Sequence, residues 1–147
     1  MPPLRLLLAI PVTLLATACA GAPPPPPPQD AGPYPEDYKE IIWAAITTPH
    51  WRIASVTIRK AEITRPVRGA LVRQRMELFT RVTEPTGYVG WIVCKRVRID
   101  SGLLINHEWP VLGHMINRGK IIATAFSDAC TSQPFEPWPE IEGKTFR

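Results

Sequence analysis

Six consecutive prolines, Pro23 through Pro28, divide this chain into two unequal parts. Such a run favours polyproline II, a semi-rigid rod that rises about 3.1 Å per residue. Ala20-Gly21-Ala22 leads into it and Gln29-Asp30-Ala31-Gly32-Pro33 leads out. A folded domain is therefore expected over residues 34–147, beginning near Tyr34, with residues 19–33 as a spacer. Fully extended at that rise, the spacer would reach up to ~45 Å. Proline-rich segments also serve as ligands for proline-reading modules, which is the alternative role for the run.

Ahead of the prolines stands Leu6-Leu7-Leu8-Ala9-Ile10-Pro11-Val12-Thr13-Leu14-Leu15, behind a positive start made by Arg5 and the free amino terminus. A membrane-spanning helix needs roughly twenty apolar residues; this core is shorter, and Pro11 interrupts it. A short apolar core ending in small residues is the pattern of a removable signal peptide, here residues 1–18. Leu15-Ala16-Thr17-Ala18-Cys19 resembles the lipobox of bacterial lipoproteins. The resemblance implies lipidation of Cys19, cleavage before it and acylation of the new amino terminus. Three acyl chains exceed the two signals that lasting attachment requires. Ala20, rather than Asp, implies the outer membrane under the enterobacterial sorting rule. Ala16-Thr17-Ala18 also fits the cleavage site of ordinary secretion.

Past the signal, about 130 residues remain, enough for one small domain with a modest core. The chain carries 17 Lys+Arg against 13 Asp+Glu, a net charge of +4. That excess is mild for a nucleic-acid binder, and no nucleic-acid partner is expected. With Cys19 lipidated, Cys94 and Cys130 remain as a pair in an oxidising compartment, where a disulfide persists. Closing that loop contributes about 3–4 kcal/mol in the chain-entropy model. No metal site is expected, because close Cys-x-x-Cys or His-x-x-x-His spacing is lacking.

The period of the apolar residues sets the expected elements. Pro35-Glu36-Asp37 opens a helix, and Tyr38, Ile41, Ile42, Ala45 and Ile46 form its stripe. Thr47-Thr48-Pro49 closes it. Ala54, Val56 and Ile58 share one strand parity, Ala61 and Ile63 the other, which predicts a bulge at Arg59-Lys60. Val72, Met76, Leu78 and Val82 alternate with charged residues as a half-exposed strand; a helix there is the alternative. Pro85 and Gly87 predict a turn over Thr83–Tyr88. Gly90 to Ile99 is the strongest strand, with Trp91, Val93, Val97 and Ile99 on one side and Arg96 and Arg98 on the other. Asn117-Arg118-Gly119-Lys120 predicts a hairpin turn. The prolines from Pro134 to Pro139 predict an extended strap. These elements predict an α+β domain: one N-terminal amphipathic helix packed on an antiparallel sheet of about four strands.

In helix, Gly-Trp-Ile-Val-Cys strand, hairpin, second cysteine and Pro-Phe-Glu-Pro-Trp-Pro-Glu tail, the domain resembles small, functionally uncharacterised lipoproteins of Gram-negative bacteria. The resemblance implies no catalytic residues and no cofactor. His50, His107 and His114 lie in no short catalytic motif, and the sequence holds neither a Gly-rich phosphate loop nor a Gly-x-Ser-x-Gly elbow. An enzyme would need His107 or His114 gathered with Asp100 or Glu108. Basic residues concentrate between Trp51 and Ile99, so Arg73, Arg75, Arg96 and Arg98 are candidates for an anion-binding sheet face; the favoured reading is an ordinary solvated face, partly neutralised by the acidic tail with Asp128, Glu136, Glu140 and Glu142. The expectation is a lipid-anchored cell-envelope protein, facing the periplasm, that acts as a non-enzymatic structural or assembly subunit. Its partners would be the membrane, through the acyl chains, and envelope proteins. The alternative is a module that binds anionic envelope polymer or lipid.

Overall fold

The computed structural model describes residues 23–47, 55–102, 104–125 and 127–146. The order of elements is α1 (Tyr38–Thr47), β1 (Val56–Thr64), β2 (Val67–Glu77), β3 (Thr80–Ser101), β4 (Leu104–Glu108), β5 (Leu112–Asn117), β6 (Lys120–Ala125), α2 (Ala129–Ser132), β7 (Phe135–Pro137), a 3-10 turn (Pro139–Ile141) and β8 (Thr145–Phe146). All eight strands join one sheet, with the central order β6-β5-β3-β1-β7. In addition, β2 and β4 pair with β3, and β8 pairs with β1.

The α+β expectation is overturned. Among the described residues, α-helix is confined to the 10 residues of α1 and the 4 of α2, while the antiparallel sheet has eight strands rather than about four. Part of the excess lies in β4, β7 and β8, whose 5, 3 and 2 residues are too short to carry a readable period. The larger cause is the β2–β3 hairpin. Thr83–Tyr88, expected as a turn, lies inside β3, which runs for 22 residues. The turn sits at Leu78-Phe79, where no Gly, Asn or Asp announces it.

Elsewhere local chemistry sets the register. The ladder between β1 and β3 shifts between Ile58 and Lys60, at the expected bulge, so Val56, Ile58, Ala61 and Ile63 are all buried. Arg118 and Gly119, at φ 48° and 75°, join β5 to β6. Two apolar clusters flank the sheet. One gathers Ile42 and Ile46 of α1 with Ile58, Val93, Val97, Ile99, Trp138 and Ile141. The other gathers Ile92, Cys94, Met115 and Cys130. Alternate residues of β3 therefore enter opposite clusters, which makes it the strand on which both are built. Each fully buried Ile or Val contributes about 1.5–3 kcal/mol relative to exposure.

Packed structure begins before Tyr34. The Trp91 indole N–H donates to the Gly32 carbonyl at 3.1 Å, and the Tyr34 and Trp91 rings meet edge-on with centroids 5.1 Å apart. The Asn117 amide donates to the carbonyls of Asp30 and of Val89, and Arg118 pairs with the Asp30 carboxylate at 3.1 Å. That arginine, together with the Gly32 backbone N–H, holds the Asp30 pKa below the usual carboxylate value, the backbone donor being the larger cause. At Gly87 (φ 78°) an added Cβ would stand 3.0 Å from the Pro27 ring. The segment from Tyr34 back to Pro27 thus lies along β3 in register order, from Trp91 through Val89 to Gly87.

Candidate interaction surface

The β2–β3 hairpin is positioned by a kink at its base. The register slips between Ala70 and Val72, where the Thr86 hydroxyl donates to the Leu71 carbonyl at 2.7 Å and accepts from the Tyr88 N–H at 3.2 Å. Beyond the kink, Val72–Glu77 pairs with Thr80–Pro85 as a two-stranded ribbon, and among the described residues neither stretch pairs with any other strand. At its end Leu78 and Phe79 turn the chain with φ 43° and 69°. A left-handed conformation is a genuine outlier for bulky side chains; it costs of order 1–3 kcal/mol per residue. Both side chains stand in solvent, Leu78 at 90% and Phe79 at 99% exposure, with Met76 at 69% beside them.

A second apolar end lies at the other terminus of β3. There β4 folds back across Gly102 and exposes Leu104 and Ile105, the latter at 77%. The Asp100 carboxylate accepts the Asn106 N–H at 2.7 Å and pairs with Arg59 at 3.2 Å. One strand of 22 residues therefore carries an apolar tip at each end, roughly 70 Å apart along its contour. An open groove of about 1140 Å³ lies at the base of the arm, bordered by Leu71, Ile92, Val111, Ala129, Phe135 and Arg68.

The candidate arginines do not converge. Arg75 stands opposite Val82 on the arm, and Arg96 lies about fourteen residues further along β3, roughly 45 Å of strand. Arg75 is held by Glu84 at 2.7 Å and Glu77 at 3.3 Å, and Arg73 stands opposite Glu84 in register. Arg98 pairs with Glu108 at 3.4 Å, and Arg96 lies 3.6 Å from Glu62 and 4.2 Å from the Phe135 ring centroid. Lys60 joins the same row, 3.3 Å from Glu62. The result is a ladder of alternating charge. Of the tail acids, Glu136 pairs with Arg65 and Glu140 with Lys39.

Cys94 and Cys130 form a disulfide, with Cα atoms 5.6 Å apart across 36 residues of chain. It ties α2 to the sheet. Cys19 and His50 lie outside the described residues. His107 is exposed on β4, opposite Ile99, and its neighbour Glu108 faces the other way, toward Arg98. His114 is buried on β5; its Nδ1 lies 3.0 Å from the Thr124 hydroxyl and its Nε2 has no hydrogen-bond partner. Burial, then the nearby positive charge of Lys95, lowers its pKa to about 4. Lys95 is itself depressed by burial, with its ammonium 5.6 Å from the centre of the Trp109 ring.

No family model, curated protein or solved structure matches this chain. Among the described residues, no helix is long and apolar enough to cross a membrane, and no three His, Cys, Asp or Glu side chains gather as metal ligands would. The surface that sequence reasoning missed is the Leu78-Phe79 tip. Its one available signal is the opposite charge of Arg73 and Glu84, set symmetrically about that apolar pair.

Proposed function

We propose that this chain is a lipid-anchored cell-envelope protein that works by contact rather than by catalysis, as a structural or assembly subunit. Residues 1–18 direct export, and Cys19 carries the acyl chains that hold the domain at the membrane, facing the periplasm. A single observation carries the contact role: among the described residues, the most exposed large apolar side chains, Phe79, Leu78, Ile105 and Met76, lie at or beside the two ends of β3. Isolated apolar side chains on a surface need no explanation. Side chains held at a tip in a strained backbone conformation do. A two-ended strand braced by the sheet suits a connector between two bodies.

Site-specific photocrosslinking in growing cells tests this. A benzophenone side chain at Ile105 is expected to give one reproducible adduct with an envelope protein, lost when Leu104 is changed to Asp. Repeated recovery of the chain alone would count decisively against an assembly role.

A further inference from the structure

From Tyr34 back to Pro27, the amino-terminal segment runs along β3 toward one of the two apolar ends. Tyr34 and Gly32 meet Trp91, Asp30 meets Asn117 beside Val89, and Pro27 meets Gly87. Read backwards from Tyr34, the chain descends β3 toward the arm. From Pro27 to Cys19 is a further eight residues, a reach of up to about 25 Å. From Gly87 to Thr80, at the tip, is seven residues of strand, about 23 Å. The two lengths match. An acyl group at Cys19 and the Leu78-Phe79 tip can therefore lie at the same depth, in the same plane.

We infer that the tip of the β2–β3 arm enters the interfacial region of the very leaflet that holds the Cys19 acyl chains, so that the domain stands on two points. The proposal rests on the lipid-anchor reading above and names the first of its two contacts. The chemistry suits a phospholipid interface. Leu78 and Phe79 offer apolar and aromatic surface for the headgroup and acyl boundary. Arg73 and Arg81 flank them, and long basic side chains keep their charge at headgroup level while their stems lie along apolar surface. With the last residues before the tether docked on the sheet, one tether alone would leave the body free to swing. A second contact about 23 Å of strand from Gly87 fixes its orientation, and it sends Leu104-Ile105 away from the bilayer toward a partner.

The test uses the full acylated chain with its native disulfide, reconstituted into vesicles of phosphatidylethanolamine and phosphatidylglycerol. An environment-sensitive NBD probe is attached at Phe79→Cys and, in a second preparation, at Ile105→Cys. The expected result is a blue shift and nitroxide-lipid quenching at position 79, with position 105 remaining aqueous. If the chain floats with the vesicles and both probes stay aqueous, the tip contact is overturned and the anchor stands. A shift at 105 instead of 79 overturns the orientation. A shift at 79 seen in native envelopes but not in protein-free vesicles gives the tip to a protein and also overturns it. If the chain fails to float, the anchor is lost and the two-point attachment falls with it.

Discussion

The side-chain hydroxyl of Thr64 accepts the backbone N–H of Cys94 at 2.9 Å, with both residues buried. The backbone ladder between β1 and β3 ends one step earlier, at Ile63 and Lys95. Thr64 therefore completes with a side chain what the backbone leaves open. Thr64→Val keeps the shape and strands a buried donor, at a cost of about 1–3 kcal/mol. Thr64→Ser restores the acceptor and is expected to recover most of that loss. Urea unfolding with an unchanged m value checks both variants.

Reducing the Cys94–Cys130 bond frees a loop of 36 residues. Loop-closure entropy assigns about 4 kcal/mol to it, a large fraction of what a small domain possesses. The paired Cys94→Ala/Cys130→Ala variant is expected to lower the free energy of unfolding by that amount. Equal stability with and without reductant would show that the bond does not brace the domain.

His114 makes stability depend on pH with a definite sign. Its pKa is lowered from 6.5 to about 4 by burial and by Lys95. The unfolded chain therefore takes up the proton first. The contribution is complete above about pH 6.5, declines as the pH falls toward 4, and levels off below that. Over the window it amounts to about 3 kcal/mol. His114→Gln is expected to flatten the difference between thermal unfolding at pH 7 and at pH 4.5, relative to the parent chain. A parent and variant with parallel pH profiles would contradict this.

Asn117 is the joint between the amino-terminal segment and the sheet, since its amide serves the carbonyls of Asp30 and Val89. Asn117→Ala leaves both acceptors without that donor and is expected to cost about 1–3 kcal/mol. It should also raise the rate of proteolytic cleavage within residues 23–33. Asp30→Asn, which removes the charge facing Arg118 and keeps a side-chain oxygen for the Gly32 N–H, should speed cleavage less.

Replacing the tip with the residues its backbone prefers separates stability from function. Leu78→Asn with Phe79→Gly suits the two positive φ angles, and it should stabilise the domain by about 1 kcal/mol or more. With the probe moved to Met76→Cys, beside the tip, the same pair should abolish its shift in vesicles. A gain in stability with undiminished lipid contact would mean that the apolar side chains serve no purpose there.

The parts of the fold that were legible are those where one residue type dictates one conformation. Gly119 announced the β5–β6 turn, and the change of parity between Ile58 and Ala61 announced the bulge. Pro85 and Gly87 misled because they serve as a bulge inside a long strand, with Gly87 at positive φ giving room to Pro27. Leu78, counted among strand residues by its period, is instead almost wholly exposed at a turn. The surroundings of the arginines were not legible for another reason. Whether Arg96 and Arg98 stand free depends on Glu62 and Glu108, which the pairings of β1 and β4 bring alongside, and sequence alone does not set those registers.

The carboxy-terminal stretch carries a consequence for biogenesis. Phe135–Pro137 and Thr145–Phe146 both pair with β1, and Trp138 and Ile141, at 1% and 2% exposure, fill the interior between them. A nascent chain cannot seal that interior until residues 135–146 have been synthesised. Until then the outer side of β1 has no partner from these two strands, so the order of the parts in the chain delays closure of the fold.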